Sequence, residues 1–156
     1  MGCGAGFSGD RVDAPLAVVA AIAASGRRGA IMFETLGERT LALGHLARRN
    51  DPNRGYEPLL DEFLPPILPT CVAASIPIVS NFGAANPLAA ARKIRQSAEA
   101  LGLPGLRIAV VSGDDVRDGL DLAACNVGKA TIPAMSSPTR SSPPTSTSAR
   151  NRSPKP

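Results

Sequence analysis

Residues 29–35 read Gly29-Ala30-Ile31-Met32-Phe33-Glu34-Thr35, an apolar run closed by a glycine on one side and an acid and a hydroxyl on the other. A run of this length and composition predicts a strand buried on both faces, as found inside a parallel sheet. Its neighbours support that reading. Upstream, Asp13 is placed to cap a helix that has Pro15 in its first turn. Leu16, Val19, Ala20 and Ala23 form the predicted stripe of that helix before Ser25-Gly26 ends it. Downstream, Leu36, Leu41, Leu43, Leu46 and Ala47 recur at near-helical spacing between Leu36 and Arg49, and Asp51-Pro52-Asn53-Arg54-Gly55 supplies a turn.

The alternation continues along the chain. From Glu57 to Ser75 a broad apolar stripe is broken by Pro65-Pro66 and Pro69, which predicts a kinked or two-piece helix. Pro77–Asn81 reads as a strand, Phe82–Asn86 as a loop, and Pro87–Leu101 as a helix with proline at its first position. After the turn Gly102-Leu103-Pro104-Gly105, Arg107–Val111 reads as a further strand, closed by Gly113-Asp114-Asp115. The glycine-rich start, Gly2–Arg11, is read as following a missing or vestigial first strand. The predicted class is α/β: an open parallel sheet of about four strands with crossover helices, Rossmann-like and three-layered.

With 156 residues the chain has room for one domain, and with 3% aromatic residues and no Trp its core must come mainly from Ala, Leu, Val and Ile. The domain is expected to be a partial one over 1–122, the amino-terminal portion of a larger soluble protein, followed by a tail over 123–156. Between Ala134 and Pro156, seven Ser, three Thr and five Pro stand with four basic residues and no acid. Such a tail buries too little apolar surface to offset an ordering entropy of about 1–2 kcal/mol per residue, and is expected to be disordered.

The net charge of +4 is uneven: all 13 acids lie at or before Asp121, against 12 of the 17 basic residues, so the body carries about −1. Without clustered cations interleaved with aromatics, a nucleic-acid partner is not expected. Cys3, Cys71 and Cys125 are widely spaced, with no CxxC and no metal-ligand spacing to His45, so neither a disulfide framework nor a zinc site is read. No signal peptide or apolar span of about 18 residues appears, and a cytoplasmic location with no membrane partner is expected.

Polar residues concentrate where the predicted strands end, the side on which open parallel sheets bind ligands. Gly4-Ala5-Gly6-Phe7-Ser8-Gly9 matches GxGxxG in spacing, with Glu34 one strand later at the place of a ribose-binding acid. A tight turn under a packed helix is the better reading of these glycines, because a dinucleotide loop leaves a strand and opens a helix at once, whereas here no strand is read before it and Asp10-Arg11-Val12 intervene before Pro15. Asp10, Glu34, Glu38, Asp114 and Asp115 are candidates for acid–base work or hard-cation oxygen ligands. Asp10 and Asp115 read equally as caps or turn acids, and Glu38 as a solvated first-turn residue. Asn81 and Asn86 are candidates to orient a carbonyl or thioester oxygen, or ordinary loop and cap residues. Arg11 is placed to meet a carboxylate or phosphate, or simply to pair with Asp13 or Asp10. His45 is read as structural or solvated. Cys3 has no basic neighbour except Arg11 to lower its pKa.

Several of these segments together resemble the amino-terminal domain of the acyclic terpene utilisation (AtuA) family. The likeness rests on Gly2–Arg11, Phe33-Glu34-Thr35-Leu36 with Glu38-Arg39-Thr40-Leu41, Asp51-Pro52 with Gly55-Tyr56, Val79–Pro87 and Val111–Val116. It covers about Gly2–Leu122. The resemblance implies a longer, cytoplasmic bacterial protein in catabolism of acyclic terpenes and related branched acyl-CoA compounds. It brings no settled reaction. The chain departs from the family at both ends: Met1 stands where the first strand should finish, and past Leu122 the likeness stops. A frame change is one account of the second departure. When Arg140–Pro156 is back-translated with GC-rich codons and each boundary is moved one base upstream, one consistent choice of codons reads VLAPNVYLGAEPIAEA, similar to the family's next segment.

Three functions follow. In the first, the intact protein acts on branched or terpenoid acyl-CoA thioesters, with catalytic Asp10, Glu34, Asn81 and Asp114. Gly4, Gly6, Ser8, Gly9, Arg11, Thr35, Gly83, Asn86 and Asp115 then contact the ligand. In the second, the GxGxxG loop makes a nucleotide-binding module. In the third, the chain is an inactive fragment of that protein. No cofactor is assigned, the partner is a small molecule such as an acyl-CoA thioester, and an oligomer is open for the intact protein.

Overall fold

The computed structural model describes residues 1–116 and Gly119, and within it the run at 31–33 is the middle strand of a three-stranded parallel sheet. Strands β1 (Gly2–Ala5), β2 (Ile31–Phe33) and β3 (Ile78–Ser80) lie in the order β1-β2-β3. Helices α1 (Ala14–Ala24), α2 (Glu38–Asn50), α3 (Leu60–Phe63), α4 (Leu68–Ala73) and α5 (Pro87–Ala100) connect and follow them. Met1–Asp115 make one compact unit. In the second, Val116–Pro156, only Val116 and Gly119 are described, and the Gly119 amide donates to the Val116 carbonyl at 3.0 Å. The tail predicted over 123–156 lies outside the described residues.

A first strand is present, built from glycines whose composition predicts a loop. The Gly2 amide donates to the Ala30 carbonyl at 2.8 Å and the Glu34 amide to the Ala5 carbonyl at 3.0 Å. Gly2 pairs with Ile31, Cys3 with Met32 and Ala5 with Phe33, the register slipping at Gly4. Glycine is required at that slip, because a Cβ on Gly4 would stand 2.6 Å from the Phe33 ring.

The core forms on the helix side of this sheet. Phe33 meets Phe63 edge-on with centroids 5.6 Å apart and Phe82 at 4.9 Å, while Phe63 and Phe82 stack at 5.8 Å. Ile31, Leu60, Leu64, Ile67 and Leu68 fill the space around these rings. Such aromatic contacts contribute about 0.5–1.5 kcal/mol per pair beyond burial of area.

Helix α1 shows a shift of face. Leu16 and Ala20, expected on the buried stripe, are exposed, while Pro15 and Val19 are buried and Val18, Ile22 and Ala23 pack on the core. The sequence of α1 is apolar on every side, so its spacing carried no unique stripe. Asp13 stands at the cap position but makes no side-chain cap bond. Its carboxylate is held by Arg11 instead, at 3.0 and 2.7 Å. Pro65 and Pro66 divide the third helical region into α3 and α4, as their chemistry predicts, while Pro69 sits in the first turn of α4, where proline is tolerated.

The sheet holds three strands in this structure rather than about four. The predicted fourth strand, Arg107–Val111, is not part of it: the segment has no strand geometry, and Val111 is 90% exposed. Among the described residues the strand order shows no reversal, and a three-layered, Rossmann-like arrangement is not seen. Right-handed crossovers that step the same way at each connection place their helices on one face, and the order β1-β2-β3 never reverses. Helices α1 and α4 accordingly contact one another beside the sheet. On the other face, Cys3, Met32 and Val79 line up across the strands and are exposed, Met32 to 39%. Met32 was expected to be covered; Ile31 and Phe33, turned to the helices, are fully buried.

Candidate functional site

Where β2 and β3 end, side chains that alternate onto the open face meet just beyond the last pleat. Asn81 is the centre of this cluster. Its Oδ1 accepts from the Thr35 amide at 2.8 Å and from the Thr35 hydroxyl at 3.3 Å. Those donors fix the amide orientation, so Nδ2 faces Glu34 and donates to its Oε1 at 2.6 Å. The Leu36 amide donates to the same oxygen at 2.9 Å. Thr35 is buried, and its carbonyl lies 3.3 Å from the Thr40 hydroxyl of α2, which also accepts from the Gly37 amide at 2.7 Å.

Hydrogen bonding from Asn81, then from the Leu36 amide, holds the Glu34 carboxyl below the ordinary carboxylate range. An acid held ionised this way is a poor proton donor and a weak base at neutral pH, but a firm acceptor for a ligand N–H or O–H. Among the described residues, Glu34 Oε2 receives no hydrogen bond.

The glycine loop between β1 and α1 is closed by its own acid. Asp10 accepts from the Gly6 amide at 2.9 Å and from the Arg11 amide at 2.7 Å, and these bonds hold its carboxyl low. A carboxylate therefore occupies the position in which a dinucleotide loop presents amides to phosphate. Gly4 lies within β1, Gly6, Ser8 and Gly9 lie in the loop, and α1 starts only at Ala14. Arg11 is committed to Asp13, the simpler of the two readings of that residue.

Asn86 clamps the fold. Its Oδ1 caps α5 through the Ala89 amide at 3.3 Å, and Nδ2 donates to the Pro52 and Arg54 carbonyls, each at 2.8 Å. Glu38 is in the first turn of α2 and exposed, and His45 lies within that helix. Gly83 and Asp114 line a groove of about 1230 Å³ beside β3, together with Asn81. Its walls are apolar: Leu64, Leu68, Cys71 and Val72 from the α3–α4 region, Ile94 from α5, then Leu103 and Leu106. Asp115 pairs with Arg48 at 3.9 Å.

Asn81, Thr35 and Glu34 are thus joined directly, and Asn81, Gly83 and Asp114 share the groove. Asp10 and Arg11 bond within their own loop. Among the described residues, no three His, Cys, Asp or Glu side chains are grouped to hold a metal ion. Two contributors carry no signal in the sequence. Arg48 donates to the Ala85 carbonyl at 2.7 Å while reaching Asp115, a contact that helix periodicity does not reveal. The groove walls come from residues read only as core.

No curated protein matches the chain, and no solved structure matches it. A family model described as "Acyclic terpene utilisation family protein AtuA" matches residues 1–148, continuing past Leu122, where the resemblance was expected to stop. A match over nearly the whole chain, carried through the glycine loop, the Glu34-Thr35 and Asn81 strand ends and the Asp114-Asp115 segment, shows that this chain belongs to the acyclic terpene utilisation family.

Proposed function

We propose that the chain binds a branched, acyclic acyl ligand as its CoA thioester, within a protein of acyclic terpene catabolism. The observation that carries this reading is the groove beside β3, apolar along Leu64, Leu68, Ile94, Leu103 and Leu106 and polar where Asn81, Gly83 and Asp114 reach it. An unsubstituted hydrocarbon chain suits such walls, with each buried methylene contributing about 0.8 kcal/mol. The carbonyl end then lies toward Asn81, with Asp114 as a second polar contact and Glu34 as an acceptor for a ligand donor. Because Glu34 and Asp10 are both held ionised, the assignment to this chain is binding and orientation. The nucleotide reading is weaker, since the Asp10 carboxylate already takes the Gly6 amide of the glycine loop and the Arg11 amide beside it and would repel a phosphate.

The test is thermal denaturation of the full chain with an acyclic branched acyl-CoA, free CoA and NAD in parallel. A ligand at 100 times its dissociation constant adds about 2.7 kcal/mol. The thioester is expected to raise the melting temperature, and Ile94→Asp, which places a charge on the groove wall, is expected to remove that shift. Stabilisation by NAD alone would overturn the proposal.

A further inference from the structure

The edge of β3 that faces away from β2 is open. The Ile31 amide donates to the Pro77 carbonyl at 3.0 Å, so Pro77, Val79 and Asn81 turn their backbone groups toward β2. By alternation, Ile78 and Ser80 turn theirs outward, to the groove. Across that groove runs the segment Arg107–Ser112, whose residues line its far side. Among the described residues, no backbone hydrogen bond ties 107–115 to β3.

This segment is tethered at both ends. At its start, Arg95 of α5 donates to the Leu106 carbonyl at 2.9 Å, and Leu103 and Leu106 pack on the core. At its end, Asp115 pairs with Arg48, which also holds the Ala85 carbonyl of the loop after β3. Between the anchors, Ile108-Ala109-Val110-Val111 is rich in β-branched residues, and Val111 is almost fully exposed. An apolar, strand-prone segment beside an unpaired edge has an evident partner.

We infer that Arg107–Val111 is a strap that docks on the open edge of β3 as a fourth parallel strand, shutting the groove. The connection through α5 steps in the same direction as the two before it, so a right-handed crossover delivers this pairing without re-threading. Paired strands lie about 4.8 Å apart, too close to leave a groove between them. Docking therefore alternates with occupancy of the groove, and it carries Ser112-Gly113-Asp114 alongside Asn81-Phe82-Gly83. The strap stands whether or not the groove's ligand is an acyl thioester.

Hydrogen exchange on the full chain without ligand, resolved by residue, tests the inference. Docking predicts that the Ile78 and Ser80 amides are protected to within about tenfold of Val79, whose amide faces β2. The double substitution Ala109→Pro/Val110→Pro removes the strap's donor whichever of the two residues faces β3. It should release Ile78 and Ser80 while leaving Val79 protected. Exchange of Ile78 and Ser80 at the rate of unstructured amides in the unsubstituted chain would overturn the strap, and that result does not depend on the folding of the variant.

Discussion

At the scale of single residues, the cluster around Asn81 shows how one side chain sets the state of another. Thr35 orients the Asn81 amide, and Asn81 then stabilises the charged form of Glu34. Asp10 and Asp13 are held low as well, by the Gly6 and Arg11 amides and by the Arg11 side chain respectively. Groups whose pKa is depressed on folding contribute stability above their unfolded value, and that contribution disappears as pH falls through the folded value. The chain should therefore lose stability as pH drops below about 4. Asn81→Asp should reverse the local sign. Two carboxylates at hydrogen-bond distance raise one pKa, so relative to the unsubstituted chain this variant gains stability on acidification from neutral pH to about 5. Melting temperatures of both proteins across that range check the reversal. The residues of this cluster were legible in the sequence as polar groups at strand ends. That Asn81 serves Glu34, and that Asp10 closes its own loop, follows from distances that spacing along a chain does not encode.

At the scale of elements, close approach explains several choices of residue. Helix α2 meets the turn before Tyr56 through two glycines: a Cβ on Gly44 would stand 3.2 Å from the Gly55 carbonyl, and one on Gly55 would stand 2.7 Å from Arg48 Cβ. Gly55 also has φ of +102°, which an L side chain rarely adopts. Gly55→Ala is expected to destabilise the fold by about 1–3 kcal/mol, measured by urea denaturation. Element types were readable where proline chemistry or an apolar run was decisive, as at α3, α4, β2 and β3. They were misread where composition was silent: β1 is a strand because its glycines accommodate Phe33 and α1, and glycine-rich sequence signals a loop. For Arg107–Val111 the sequence carries strand propensity, but pairing is a property of two segments, and propensity measures only one.

At the scale of the molecule, the arrangement divides the sheet into a packed side and an open one. The class α/β and the parallel sheet follow from alternating elements, yet the number of layers depends on the direction in which each crossover steps, and no residue pattern records it. The two described cysteines report on this division. Cys3 is exposed on the open face, while Cys71 is buried and its thiol is pushed up by loss of solvent. Under native conditions a thiol reagent should modify Cys3 at least about tenfold faster than Cys71, read by peptide mapping. Comparable rates would mean that something covers the open face.

The alternation within Ile31-Met32-Phe33 also bears on how the family's sequences can drift. Ile31 and Phe33 are held by neighbours on every side, whereas Met32 between them answers to no packing partner on the helices. Evolutionary freedom along this strand should therefore come in a beat of two, with mutations accumulating at 32 and being purged at 31 and 33.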